Sequence, residues 1–276
     1  MVRPAFLLIL LLSLAGAGAQ TPAASPAAPA PPVPAYTAAP SGPPTGRVTY
    51  SRLNVDGPYI AMTFDDGPSG PNTPRLLDLA AKKHIKLTFF LIGENAQRYP
   101  QLVQRELAEG HQVGNHSYTH PDLAKMSDEA VRAEIQKTQD TIVNETGYKP
   151  VLMRPPYGAL TPRQRLWIPQ EFGVKIILWD VDPLDWKRPG AAVVASRIIA
   201  ATRPGSIILS HDIHSGTVDA MPEVFDTLLA KGFKFVTVSE LIAMDKGPAA
   251  KAKKPTPAPG APTAAAAPGV TPASTP

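Results

Sequence analysis

The chain has 276 residues, 33 prolines, no cysteine and a formal net charge of +4, which excludes disulfides, thiolate metal sites and acylation at a leader cysteine. Seventeen of the prolines crowd into 21–45 and 246–276, stretches otherwise made mostly of Ala, Thr, Ser, Gly and Lys, and such segments bury too little apolar surface to offset the entropy of ordering. All 23 acidic residues and 22 of the 27 Lys and Arg lie within 46–245, so that core is near neutral and a basic nucleic-acid groove is excluded.

In chain order, Met1-Val2-Arg3, the apolar run Ala5–Leu14 and the small residues Ala15–Ala19 have the layout of a secretory signal. The run is shorter than the ~20 residues a spanning helix needs. Residues 1–19 are therefore expected to direct export to a periplasmic or secreted location, with an uncleaved N-terminal anchor as the lesser alternative. Residues 20–45 follow as a Pro/Ala-rich disordered linker, 46–245 as one folded domain and 246–276 as a Pro/Ala/Lys disordered tail. Arg3, Lys246, Lys251, Lys253 and Lys254 carry the positive excess, so membrane contact is expected only through the signal segment or the basic tail.

Within 46–245, short apolar, β-branched or aromatic runs predict strands at 59–64, 87–92, 111–115, 151–153, 174–179, 206–210 and 233–238. Helical spacing predicts helices at 73–84, 95–109, 127–146, 162–172, 190–202 and 220–231. The 127–146 helix has the clearest signals: Ser127 to cap it, Asp128 and Glu129 in its first turn, then Gly147 and Pro150 beyond its end. Strand–helix alternation calls for a parallel sheet covered by helices; a closed barrel and an open sheet both fit the pattern.

The unusual polar residues fall in a regular place. Asp65-Asp66-Gly67-Pro68, Asn115-His116 through His120, Arg154 through Gly158, the group Asp180, Asp182, Asp185 and Trp186, and Ser210-His211-Asp212 all follow predicted strands. The C-terminal edge of such a sheet is where sites are built. Two histidines four apart, His116 and His120, can face one metal if the segment turns helically. Without cysteine, imidazole and carboxylate donors suit zinc or a similar divalent ion, and an adjacent Asp pair is costly to bury without a cation. His84 and His111 read as structural, Trp167 and Trp179 as packing, and His214 as a rim residue. Tyr118 reads equally as groove wall or as packing.

The ordered set Thr-Phe-Asp-Asp-Gly-Pro (63–68), His-Ser-x-x-His (116–120), Arg-Pro-Pro-Tyr-Gly (154–158), Asp-x-x-Asp-Trp (182–186) and Leu-Ser-His-Asp (209–212) resembles the polysaccharide deacetylases, the NodB-homology domain. The resemblance covers essentially the whole core and departs at Pro183, where the family often has Ser. It implies a distorted (β/α) barrel of about seven parallel strands surrounded by helices, a divalent metal (usually zinc, with cobalt or another ion possible) and removal of acetyl groups from a polysaccharide. By position it implies Asp66, His116 and His120 as metal ligands, Asp65 as general base oriented by Arg154, and His211 as general acid tuned by Asp185. It further implies Trp186 and Leu209 as walls for the acetyl methyl and the Tyr157 backbone N–H as an oxyanion donor. The expected partner is a peptidoglycan- or chitin-type N-acetylglucosamine polymer, acted on by a monomer. Competing readings are an O-acetyl esterase on acetylated xylan and a non-catalytic glycan-binding module.

Overall fold

The computed structural model describes residues 46–247. The expected signal segment, the linker and nearly all of the C-terminal tail lie outside the described residues. Among the described residues no helix is long and apolar enough to cross a membrane.

The chain runs from β1 (Thr49–Tyr50) to β2 (Tyr59–Asp65), α1 (Thr73–Lys83), β3 (Thr88–Leu91), α2 (Gly93–Arg98), α3 (Pro100–Ala108) and β4 (Gln112–Asn115). It continues with α4 (Asp128–Thr146), β5 (Leu152–Met153), α5 (Gln164–Phe172), β6 (Lys175–Ile177) and α6 (Ala191–Ala201). The last elements are β7 (Ile207–Ile208), α7 (Ser215–Ala230), β8 (Lys234–Phe235) and α8 (Val238–Ala243). The sheet order is β1-β6-β5-β4-β3-β2-β7 with β8 also on β2, and every pairing of named strands is parallel.

Two sets of long-range hydrogen bonds bend this sheet into a ring. Beyond β6, Asp180 N donates to Ile207 O at 3.1 Å and Leu209 N to Val181 O at 2.9 Å, which joins the chain after β6 to β7. At the opposite end β1 pairs with β6, and just past it Arg52 bridges Ser206, filling the gap there. The result is the distorted (β/α) barrel expected from the motifs, with β1 as an eighth strand too short to read from sequence.

Alternation along β2 sorts its side chains between the layers. Ile60, Met62 and Phe64 belong to the cluster that includes Leu76 and Leu77 of α1 and Met221 and Phe225 of α7. Ala61 turns the other way, into the ring with Phe90, Leu152, Ile177 and Ile207. Thr63 and Asp65 continue that inner row and are buried, so the upper half of the ring is polar where the lower half is apolar.

Most boundaries shift by a residue or a few, and three of the departures have a clear local reason. The helix expected at 95–109 is two helices, because Pro100 offers no N–H and Tyr99 between them leaves the helical region with φ −130° and ψ 55°. Helix α7 starts at Ser215, not 220, since Ser215-Gly216-Thr217 looks like a turn in sequence yet forms its first turn. The strand expected at 233–238 ends at Phe235; Thr237 and Glu240 form a reciprocal capping box that opens α8. The helix expected at 127–146 is found, with Ser127 Oγ accepting from Ala130 N at 3.3 Å and Gly147 left-handed at φ 71°.

Barrel closure leaves no room at Gly205. Its φ is 79°, Leu53 N donates to its carbonyl at 2.9 Å, and a Cβ there would lie 1.9 Å from Leu53 O. Gly205→Ala is expected to destabilise the full chain by about 2 kcal/mol. Urea unfolding checks it, and an unchanged midpoint would show that this seam yields easily.

Candidate active site

At the C-terminal end of β2 the alternation breaks. Asp65 points into the ring, and Asp66 adopts a left-handed φ of 72°, held by Asn95 Nδ2 donating to its carbonyl at 2.7 Å. Both carboxylates therefore line one cavity. After β4, residues 116–120 form a bent loop, not the helical turn the four-residue spacing suggests, with Ser117 at φ 62° and His120 at φ 61°. Glu134 of α4 pins that loop: its Oε2 accepts from Tyr118 N at 2.7 Å and Thr119 N at 2.8 Å.

This bend brings His116 Nε2 and His120 Nε2 each to 3.4 Å from Asp66 Oδ1, and one donor atom from each residue lies within 4.8 Å of the others. His116 Nδ1 donates to Arg154 O at 2.6 Å, which leaves the Nε2 lone pair facing the aspartate. Burial opposes ionisation of Asp66, yet the surrounding histidines hold its pKa at about 2. Burial likewise opposes charge on His116, but Asp65 and Asp66 raise its pKa overall, so the field between these groups favours a cation. Asp66 Oδ1 is buried without a hydrogen-bond partner. An orphaned anionic oxygen faced by two imidazole nitrogens fits a divalent metal ion.

Arg154 sits beneath, fully buried. Its Nη1 donates to Asp65 Oδ1 and to Thr63 Oγ1, both at 2.7 Å. Nε and Nη2 reach Ile177 O and Leu178 O at 3.3 and 3.2 Å, and the guanidinium lies 4.2 Å above the Phe90 ring. Burial lowers its pKa and Asp65 pulls it back. One residue thus orients Asp65 through its side chain and His116 through its carbonyl.

Across the cavity, His211 Nδ1 donates to Asp185 Oδ1 at 2.8 Å. Asp185 Oδ2 accepts from His211 N and Thr217 Oγ1, each at 2.8 Å. Burial works against the charged imidazole, but the Asp185 hydrogen bond and charge raise His211 to about 9. Asp65 and His211, on adjacent strand ends joined by a bridge, therefore face the same space.

That cavity has a volume of about 390 Å³ and includes Leu209, Trp186 and Tyr157 in its walls. Leu209 is buried, whereas Trp186 and Tyr157 are exposed on the rim. The Tyr157 N–H makes no hydrogen bond among the described residues, and its φ of 58° follows two prolines. Every residue that the resemblance assigns a role comes to this cavity or directly supports it. Other expectations resolve differently. Trp179, read as packing, lines the cavity. Asp180, grouped with the site residues, instead accepts from Ile207 N at 2.9 Å and Ser206 Oγ at 3.1 Å, so it closes the barrel. Tyr118 is buried and bonded to Gln97, which settles it as packing. Thr63, Glu134 and Thr217 support the site unseen in the sequence reading, since their partners lie many residues away.

The family model described as polysaccharide deacetylase matches residues 52–177. A peptidoglycan-N-acetylglucosamine deacetylase of Bacillus cereus is 39% identical over 198 residues, covering 69% of this chain and 72% of that protein. The deacetylase PgdA of Listeria monocytogenes serotype 1/2a is 44% identical over 182 residues, 66% of this chain. The match spans only 38% of that longer relative. Among solved structures, the Bc1960 peptidoglycan N-acetylglucosamine deacetylase superposes with a TM-score of 0.68 at 36% identity, covering 72% of this chain and 95% of that one.

The Arg154–Asp65 pair makes a stability prediction. Arg154→Ala strands a buried carboxylate and is expected to cost about 3–5 kcal/mol. Chemical denaturation checks it; a loss below about 1 kcal/mol would mean that water already reaches the pair.

Proposed function

The chain belongs to the polysaccharide deacetylase family, and on that premise we propose that it hydrolyses N-acetyl groups of a peptidoglycan- or chitin-type glycan, releasing acetate. One observation carries the reading. A single cavity presents an orphaned Asp66 oxygen with His116 and His120 beside it, Asp65 on one side and His211 on the other. A glycan-binding module has no use for a held base and a held acid across an intact ligand set. An exported, cell-wall-facing location suits this substrate.

In the proposed reaction, Asp66, His116 and His120 hold the metal. A divalent ion there, zinc by the preference of a His-His-Asp donor set with open positions, supplies charge that polarises the acetyl carbonyl and lowers the pKa of water. Asp65, kept in place by Arg154, accepts the proton of the attacking water. The Tyr157 N–H donates to the carbonyl oxygen as negative charge gathers on it. Leu209 and Trp186 enclose the methyl group. His211 then gives its proton to the amide nitrogen as the C–N bond breaks, so the amine leaves neutral and acetate remains. The protonated imidazole favours an amide over an ester substrate, because an amine leaving group needs that proton more.

The test uses the full chain stripped of metal and reloaded with zinc, with acetate measured from N-acetylglucosamine oligomers, peptidoglycan and acetylated xylan. Zinc-dependent release from the N-acetylated substrates is expected. Release from xylan alone would transfer the reading to the esterase, and none from any, with zinc bound, would favour the binding module. Asp65→Asn is expected to lower kcat by about 10²–10⁴-fold while zinc content by elemental analysis is retained; full turnover would remove Asp65 from the role of base.

The acid also predicts a pH effect. A proton donor works below its pKa and fails as pH rises through it. His211 is raised by Asp185, so Asp185→Asn is expected to move the alkaline limb of kcat to lower pH, by about a unit or more. An unmoved limb would assign it to another group.

A further inference from the structure

A second cavity, of about 380 Å³, opens on the far side of the Asp185–His211 pair. Its walls come from Arg188 and Gly190 on the loop after β6, from Val194 of α6, and from Ile213, His214 and Thr217 where α7 begins. Asp185 borders this cavity while its partner His211 borders the first. One hydrogen-bonded pair is therefore the wall between two spaces of nearly equal size, both large enough for small-ligand sites. The His211 and His214 rings, one on each side, have centroids 6.1 Å apart.

The chemistry of the second space differs from that of the first. Asp185 is its carboxylate, and that charge is committed to His211, with Trp186 N and Thr217 Oγ1 also bonded to it. Arg188 is the cation. It is exposed, and its guanidinium has no ion pair or hydrogen bond among the described residues. The loop that carries it is nevertheless well held. Leu184 and Arg188 are left-handed at φ 55° and 53°, Arg188 N donates to Asp185 O at 2.7 Å, Leu184 N to Asp182 Oδ1 at 2.8 Å, and Arg197 Nη1 to Pro183 O at 2.9 Å. His214 is kept towards its neutral form by burial and by the charges of His211 and Arg188, against Asp185, so it offers a hydrogen bond without adding charge. Val194 and the half-exposed Ile213 provide apolar surface on which a sugar ring can lie.

We propose that the second cavity binds the glycan residue next to the one being deacetylated, and that Arg188 recognises a carboxylate carried by that neighbouring residue. This rests on the deacetylase reading and adds to it a preference for acidic glycan strands over neutral ones. A free guanidinium recognises a carboxylate through two parallel N–H donors, and Trp186 on the rim of the first cavity stands two residues from Arg188 in the second, so a strand crossing that rim can set consecutive residues against both.

The experiment measures acetate release by the zinc-loaded full chain from three substrates. These are N-acetylglucosamine hexamer, glycan strands freed of stem peptides by an amidase so that their lactyl carboxylates are exposed, and the same strands with stem peptides intact. Wild type is expected to show a higher kcat/KM on acidic strands. Arg188→Gln is expected to lower the acidic-to-neutral ratio by about tenfold through KM, and Arg188→Lys to restore part of it. Preference for the amidase-treated strands places the carboxylate on the lactyl group; preference for the intact strands places it on the peptide. In wild type itself, added salt is expected to raise KM for acidic strands and leave the hexamer unaffected. Turnover of all three without preference, or an Arg188→Gln effect equal on all three, would overturn the subsite and leave the deacetylase standing. No turnover of any would overturn the deacetylase reading and the subsite with it.

Discussion

A fully buried guanidinium organises this protein. Removing Arg154 from water costs several kcal/mol unless its donors are met, and the barrel interior meets them with Asp65 and Thr63 from β2 and the carbonyls of Ile177 and Leu178 at the end of β6. Strands on opposite sides of the ring are thereby held to one cation. The same residue accepts from His116 Nδ1 through its backbone oxygen, so the orientation of a candidate ligand and of the candidate base share one origin. A shift of β5 along its neighbours would disturb both.

The second ionic pair works by contrast. His211 and Asp185 stand nearer the rim, and Asp185 meets backbone and side-chain donors from the loop after β6, β7's extension and α7. Two Asp pairs thus flank the cavity: Arg154 holds Asp65 beneath it and Asp185 holds His211 at its side. Asp185 raises the pKa of His211 against the effect of burial. The wall made by this second pair also separates the two cavities, so the acid would sense what lies on either side of it.

Backbone strain is gathered on this face. Of the seven non-glycine residues with positive φ among the described residues, six (Asp66, Ser117, His120, Tyr157, Leu184 and Arg188) lie on loops after strand C-termini; His84, at the other end, merely caps α1. Such conformations cost of order 1–3 kcal/mol each and persist where surrounding bonds enforce them. Glu134, Asn95 and Asp182 supply those bonds here. The apolar lower ring and the helix layer around it provide the stability against which that strain is set.

By itself the sequence determined the alternation of strand and helix, the caps at Ser127 and Gly147, and the identity of the residues at each strand end. These are short-range properties, set by spacing, propensity and turn chemistry within a few residues. The Thr237–Glu240 capping box is as local as these, but the strand expected at 233–238 ran across it. What only the tertiary structure decided was which distant groups meet. Closure of the ring through Val181 and β1, the diversion of Asp180 to that seam, the entry of Trp179 into the cavity and the second cavity beside Arg188 all depend on contacts between residues far apart in the chain. No local pattern encodes such pairings, because each is chosen by how the whole sheet curves and which buried donors and acceptors are then left to satisfy one another.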